Sequence, residues 1–250
     1  MKFEVRVRTG EALSLNTLKR DSFWTGPAGR VLVIMTMILL LSLTAEAATF
    51  LVTNTNDSGA GSLRQAIVDA NGASGNTIKF QIGSGPKTIS LASMLPVISR
   101  AMIIDGATQP GYAGTPLIEI TGNNTVSFGF DVTGGNSTIN GLAINSFTNS
   151  GILLRANSGN TVTNCYVGTS LDGATSKPNG VGISIDGGSN NNTIGAVIGK
   201  AGNLISGNQT NGIQISNSNG NMIAGNFIGT NAAGTAALGN GSYGLRAVQQ

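Results

Sequence analysis

Seven acidic side chains follow residue 47, and their type and spacing could support acid–base chemistry. They are Asp57, Asp69, Asp105, Glu119, Asp131, Asp172 and Asp186. Cleaving a sugar linkage by hydrolysis needs two carboxyl groups roughly 5–10 Å apart. No two of these residues lie closer than 12 positions in the sequence, and none forms an Asp-Asp or Asp-x-Asp cluster suited to Ca²⁺.

Stacking of strands would bring distant acids together. In a parallel coil structure, residues about one coil apart lie side by side, so Asp105 with Glu119, or Glu119 with Asp131, are candidate catalytic pairs. A lyase would also need a base, often Lys or Arg. Asp105, within Ile104-Asp-Gly106, is more simply explained as a turn residue. We therefore expect no catalysis in this segment, with these three acids as the candidates if there is any.

The other chemistry-bearing residues are few. Cys165 is the single cysteine and the chain has no His, so neither a disulfide within the chain nor a Cys–His pair can form. No phosphate-binding loop and no metal-ligand spacing occurs, so we expect no cofactor and no metal. We predict that Cys165 is a small buried residue that takes the place of an asparagine in a row of stacked, hydrogen-bonded asparagine side chains.

Internal repeats predict the scaffold. Residues 203–208 (Asn-Leu-Ile-Ser-Gly-Asn) recur as residues 221–226 (Asn-Met-Ile-Ala-Gly-Asn), 18 positions later. Residues 148–169 align without gaps on residues 209–230, an offset of 61. Short β-type runs broken by Gly and Asn at such intervals predict an all-β solenoid of stacked parallel strands. By these alignments Asn208 and Asn226 share a register, and Cys165 holds the equivalent position.

The N-terminal 47 residues are typical of a secretory signal with a long n-region. Arg30 precedes an apolar run over residues 31–43, followed by Ala45-Glu-Ala47. This pattern predicts a signal helix cleaved after Ala47 and export by the general secretory route; an uncleaved membrane anchor is the alternative.

The basic residues are concentrated in this leader. Six of the 14 Lys and Arg and four of the 11 Asp and Glu precede Ala48, which leaves eight basic and seven acidic residues, a net charge of +1. No basic face remains for a phosphate backbone, so nucleic acid is not an expected partner.

The exported part divides into a cap and a stack of coils. Residues 50–53 form a β run, and residues 62–71 predict a helix with a Ser62–Gln65 capping box and an apolar stripe of Leu63, Ala66, Ile67 and Ala70. We assign residues 48–76 to a strand-helix cap and residues 77–250 to coils. No second cap is evident, so we expect further repeats downstream of a truncated solenoid.

A family resemblance agrees with these patterns. Residues 49–67 (Thr-Phe-Leu-Val-Thr-Asn-Thr-Asn-Asp-Ser-Gly-Ala-Gly-Ser-Leu-Arg-Gln-Ala-Ile) resemble the N-terminal segment of large exported bacterial right-handed β-helix proteins. Residues 104–112 resemble a second block of that family, and residues 221–230 match its repeats. The resemblance covers about residues 49–247. It implies a pectin-lyase-like right-handed parallel β-helix, usually part of a longer surface or secreted protein, but no single activity.

Two long turns are the candidate binding loops. Residues 168–180 and 229–241 match each other and are expected to protrude from the stack, where solenoids often contact ligands. Asp172 and Lys177 are the binding candidates in the first loop. They align with Ala233 and Leu238 in the second, which argues against a repeated binding role, and a solvated loop without a ligand is the alternative.

Three functions remain open on the sequence. The first is a secreted or cell-surface scaffold, monomeric or part of a longer chain, whose loops bind an extracellular glycan or cell-surface component. The second is a polysaccharide lyase or glycoside hydrolase, and the third a non-functional fragment. Two carboxylates in one open groove beside a basic residue would favour the enzyme.

Overall fold

The computed structural model describes residues 46–196 and 202–249, together with the backbone of two short strands, β1 (Val5–Arg6) and β2 (Ala12–Leu13), which pair antiparallel. A compact unit begins at Ala47. The apolar run predicted as a signal helix lies outside the described residues. No helix among the described residues is long and apolar enough to cross a membrane.

Three all-parallel sheets form the body of the protein. The first sheet contains β3 (Thr49–Val52), β4 (Asn76–Phe80), β6 (Met102–Asp105), β9 (Thr138–Asn140), β12 (Thr161–Thr163), β15 (Thr193–Gly195) and β18 (Met222–Ala224). The second contains β5 (Lys87–Ser90), β7 (Ile118–Thr121), β10 (Leu142–Asn145), β13 (Tyr166–Val167), β16 (Leu204–Ile205) and β19 (Phe227–Ile228). The third contains β8 (Phe130–Val132), β11 (Ser150–Arg155), β14 (Val181–Asp186), β17 (Ile213–Ser216) and β20 (Leu245–Val248).

The chain visits the three sheets in turn, and each round is one coil. We number the coils by their strand in the first sheet: β4 opens coil 1, β6 coil 2, β9 coil 3, β12 coil 4, β15 coil 5 and β18 coil 6. Neighbours within each sheet come from successive coils, as in the register Ile104–Ile139–Val162. The predicted solenoid is thus confirmed as a β-helix-like stack of parallel strands.

Alternation along the short strands builds the core. In the first sheet Ile78, Ile104, Ile139, Val162 and Ile194 stack in register and are buried, while the residues on either side of them point outward. Because each apolar residue stacks on one of similar size in the next coil, removal of apolar area from water stabilises the fold along its whole length.

The predicted helix α1 (Leu63–Ala70) forms as expected and packs against β3 and β4. Its buried residues are the four of the predicted stripe. The Ser62 hydroxyl accepts from the Gln65 backbone N–H at 3.2 Å. The Gln65 side chain donates to Asp69 at 2.8 Å instead of returning to Ser62, so only half of the capping box is present.

The 61-residue repeat corresponds to two coils, since Thr161 stacks on Thr193 and Thr193 on Met222. The 18-residue repeat does not relate stacked residues. Residues 203–208 surround β16 in the second sheet, whereas residues 221–226 surround β18 in the first. The shared register of Asn208 and Asn226 is therefore wrong, because similar strand-and-corner units occur on more than one side of each coil.

Buried asparagines form a separate ladder at each of the three corners. Where the third sheet meets the first, Asn192 Oδ1 accepts from Asn160 N at 2.9 Å and from Asn160 Nδ2 at 3.0 Å. Between the second and third sheets, Asn208 and Asn240 repeat the pair of contacts, with Asn240 Oδ1 accepting from Asn208. These side chains satisfy backbone groups that the turns leave unpaired.

The ladder between the first and second sheets contains the cysteine. Asn226 Oδ1 accepts from Asn203 N and Nδ2, and Asn203 Oδ1 accepts from the Cys165 N–H at 2.9 Å. Asn203 Nδ2 donates to Val162 O one coil back, and the Cys165 thiol points at Ile139 O in the same manner, 3.7 Å away. Cys165 is fully buried, as predicted for a substitute in the ladder.

Candidate functional site

The three candidate acids lie in one coil on three different sheets. Asp105 ends β6 in the first sheet, Glu119 lies in β7 in the second, and Asp131 lies in β8 in the third. Stacking pairs none of them with another. Successive strands of the first sheet begin 23 to 36 residues apart, which exceeds the 12 to 14 residues between these acids. Neither predicted carboxylate pair is therefore stacked.

Asp105 accepts hydrogen bonds from a turn and from the side-chain amide of Asn140. Its Oδ1 accepts from the Ala107 N–H at 3.1 Å, capping a short 3-10 helix, Gly106–Thr108. The same oxygen accepts from Asn140 Nδ2 at 2.7 Å. The expected turn role for Asp105 agrees with these contacts.

Glu119 is almost completely buried, with 4% of its surface exposed. Oε1 accepts from Lys177 Nζ at 2.6 Å and from Asn145 Nδ2 at 2.8 Å, and Oε2 accepts from the Thr88 hydroxyl at 2.8 Å. Burial alone would raise the pKa of Glu119. The hydrogen bonds from Lys177, Asn145 and Thr88, together with the charge of Lys177, outweigh that effect and lower the pKa below its usual value.

Asp131 forms a two-point ion pair on the third sheet. Arg155 Nε and Nη2 lie 2.8 Å from Oδ1 and Oδ2 of Asp131, and this contact raises the pKa of Arg155. Arg155 also stacks in register with Asp186 of the next coil. Both oxygens of the Asp131 carboxylate are thus engaged by the Arg155 guanidinium.

The loop candidates lie on the outer face of the second sheet. Gly173 lies against Tyr166, Leu204 and Ala232, and Ala232 N donates to Gly173 O at 2.8 Å. The loops of residues 168–180 and 229–241 thus lie outside the stack of strands, where they contact the second sheet and each other, and residues 174–176 and 233–237 are exposed. The Lys177 ammonium group forms an ion pair with Glu119.

Asp172 stabilises its own loop. It accepts from the Ser170 hydroxyl, from the Ala174 N–H at 2.8 Å, and from the N–H and hydroxyl of Thr175 at 3.0 and 2.9 Å. These bonds, that of Ser170 foremost, hold the pKa of Asp172 well below its usual range. In the second loop, Asn231 accepts a hydrogen bond from Thr235 N. An amide oxygen can therefore stabilise such a loop in place of a carboxylate.

Burial raises the pKa of Cys165 to about 12, and the thiol donates to Thr163 O at 3.2 Å. A thiol of this kind is protonated at neutral pH and shielded from reagents. Within residues 46–196 and 202–249, no group of three His, Cys, Asp or Glu side chains could hold a metal ion.

A cleft that the sequence did not predict lies beside the two loops. This aromatic cleft has a cavity of about 90 Å³ and is lined by Gly114, Asn164, Tyr166, Gly202, Leu204, Phe227 and Ala232. Tyr166, Leu204 and Phe227 are register neighbours on the outer face of the second sheet, in coils 4, 5 and 6. The sequence pattern did not predict this cleft because β13, β16 and β19 are only two residues long, too short to show which side chains face outward.

Neither a scan against models of protein families nor a search among curated proteins gives a match to this chain.

Proposed function

We propose that this protein is an exported, non-catalytic scaffold, a right-handed parallel β-helix of the pectin-lyase-like kind, that binds an extracellular glycan or cell-surface component. The observation that carries the proposal is the separation of Asp105, Glu119 and Asp131 on three faces. Each of these three carboxylates is engaged by neighbouring side chains, and no two of the three lie on the same sheet as a catalytic pair for glycoside hydrolysis would.

Export is supported by the sequence. The basic n-region, the apolar run and the Ala-x-Ala site before Ala48 match a secretory signal, and the resemblance of residues 49–67 is to exported proteins. The protein would then be secreted or held at the cell surface, with contact to the membrane only through the signal segment.

The proposal is tested by expressing the full chain in a bacterium and analysing the exported fraction. N-terminal sequencing should place the mature terminus at Ala48. The exported protein, incubated with neutral and acidic polysaccharides, should release no reducing ends and no unsaturated sugars. Retention in the cytoplasm would contradict export, and product release would contradict the non-catalytic role.

A lyase or hydrolase is the second candidate, and the Asp131–Arg155 pair favours it. This pair places a carboxylate beside a guanidinium on the outer face of the third sheet, with Asp186 in register with Arg155. If product release occurs, Asp131→Asn should abolish it. If Asp131→Asn retains full activity, this pair is not the catalytic site.

A further inference from the structure

An open groove lies at the corner where the third sheet meets the first. This corner groove has a cavity of about 420 Å³ and is lined by Gly135, Asn136, Asn157, Ser158, Gly159 and Asn191. Its volume falls within the range of about 300–1,000 Å³ that is usual for small-molecule sites. Asn136 and Asn191 lie at the entries to coils 3 and 5, because Thr138 and Thr193, two residues later, stack on either side of Thr161. Since parallel strands are about 4.8 Å apart, these two asparagines are about 9.6 Å apart along the stack.

The backbone of the corner groove is held by hydrogen bonds between coils. Asn136 N donates to Ser158 O at 3.0 Å, and Asn191 N donates to Asn219 O at 2.9 Å. Asn136 and Asn191 have left-handed φ angles of 58° and 53°. An extended peptide would bind by pairing with main-chain groups, and these N–H groups are already used. A ligand of the corner groove must therefore be bound through side chains.

Two amide side chains in the corner groove are free. Those of Asn136 and Asn191 are exposed and have no hydrogen-bond partner among the described residues. Each lies over a glycine of the next coil, since a Cβ on Gly159 would clash with Asn136 Oδ1 and a Cβ on Gly220 with Asn191 Oδ1. Whichever way an amide is turned, it offers a ligand both a donor and an acceptor.

The lining of the corner groove is polar and uncharged. Ser158 Oγ accepts from Asn190 N at 3.0 Å, so its proton is free to donate to a ligand. The six described residues that line the groove include no charged, aliphatic or aromatic side chain. An anion would need a cation here, a metal ion would need carboxylates, and an apolar ligand would need an apolar surface. The groups that are present match a neutral ligand with several hydroxyl groups, each of which can donate and accept.

We propose that the corner groove binds a neutral glycan, with sugar hydroxyl groups hydrogen-bonded to the side chains of Asn136 and Asn191 and to the Ser158 hydroxyl. This inference rests on the proposed function, because it supplies the binding site of the scaffold and names the class of glycan. It places that site at the corner between the third and first sheets, away from the loop candidates Asp172 and Lys177.

The test applies the full chain to an array of neutral oligosaccharides of glucose, galactose, mannose and N-acetylglucosamine, with polygalacturonate as the anionic comparison. The affinity for the neutral oligosaccharide that is retained best is then measured by calorimetry. Asn136→Gly and Asn191→Gly each remove an amide at a backbone conformation that glycine adopts readily, and each should weaken binding by about fivefold. Asn124→Gly is the matched control, because Asn124 is exposed with the same left-handed φ of 58° but lies at the corner between the second and third sheets. It should bind like the parent.

Binding of a neutral oligosaccharide that both groove variants weaken and Asn124→Gly does not would support the site. Three results would overturn the proposal: retention of no neutral oligosaccharide, retention of polygalacturonate alone, or groove variants that bind as tightly as Asn124→Gly. Failure here is distinguishable from failure of the proposed function. The mature terminus and the absence of product release are measured separately, and a neutral oligosaccharide that binds the groove variants unchanged would leave a glycan-binding scaffold with its site elsewhere.

Discussion

Lys177 and Glu119 are joined across two coils, with Nζ 2.6 Å from Oε1 although 58 residues separate them in the chain. Lys177 belongs to the loop of coil 4, and Glu119 to a strand of coil 2. The contact holds the loop of residues 168–180 down on the second sheet. It also neutralises a carboxylate that would otherwise be buried without a counter-charge.

Lys177→Met should destabilise the protein by about 1–3 kcal/mol, because Glu119 loses its cation and a charge-assisted hydrogen bond. The free energy of unfolding from urea titrations measures the effect. Lys79→Met, at an exposed position on the first sheet, is the control and should change stability little. Equal losses in the two variants would show that the Lys177 contact contributes nothing specific.

Glu119 should make stability depend on pH. Its pKa is lowered in the folded state, so its contribution is present above the unfolded value of about 4.3 and is lost as pH falls through the folded pKa. Glu119→Gln cannot titrate at this position. The stability advantage of the parent over Glu119→Gln should therefore shrink as the pH of the unfolding experiment falls below about 4. A constant difference down to pH 3 would contradict this.

The asparagine ladders should be essential to stability. Asn208→Ala removes the acceptor of Asn179 N and Nδ2 and the donor to Val167 O, and leaves buried groups unpaired. We expect a loss of about 2–4 kcal/mol in the free energy of unfolding. The exposed Asn56→Ala is the matched control, with a change within about 0.5 kcal/mol. A ladder variant as stable as the control would refute this role.

Cys165 should be silent to thiol reagents in the folded protein. The buried thiol, with its pKa raised to about 12, offers almost no thiolate at neutral pH. A chromogenic disulfide reagent should report no reaction in buffer and one thiol per chain in denaturant. The Cys165→Ala variant gives the blank. Rapid labelling of the native protein would show that the corner opens.

Sequence patterns located the repeating elements but not all of their stacking. The 61-residue alignment correctly joined Cys165 to Asn226, because two whole coils separate them. The 18-residue match wrongly placed Asn208 and Asn226 in the same register, because one coil contains more than one strand of similar composition. The Lys177–Glu119 contact was not predictable because coils vary in length, and periodicity does not say which strand a loop will cover.

Apolar periodicity was most informative where it was longest. The stripe of α1 gave the buried face of the helix, residue for residue. Strands of two residues, such as β13 with Tyr166, are too short to show which side faces outward. Tyr166, Leu204 and Phe227 of the aromatic cleft come from three such strands, so their proximity became visible only from the register of the strands.

The direction of the ladders has a kinetic meaning. Asn192 accepts from the backbone of Asn160, and Asn203 donates to Val162 O, so each corner is completed by a side chain from the coil that follows. If the chain folds from its N-terminal end, the corner of the coil formed last lacks its hydrogen-bonding side chains until the next coil has formed. We therefore expect the coils to fold in order from the N-terminal end. The corner of the last folded coil should stay exposed to water until the next coil folds onto it.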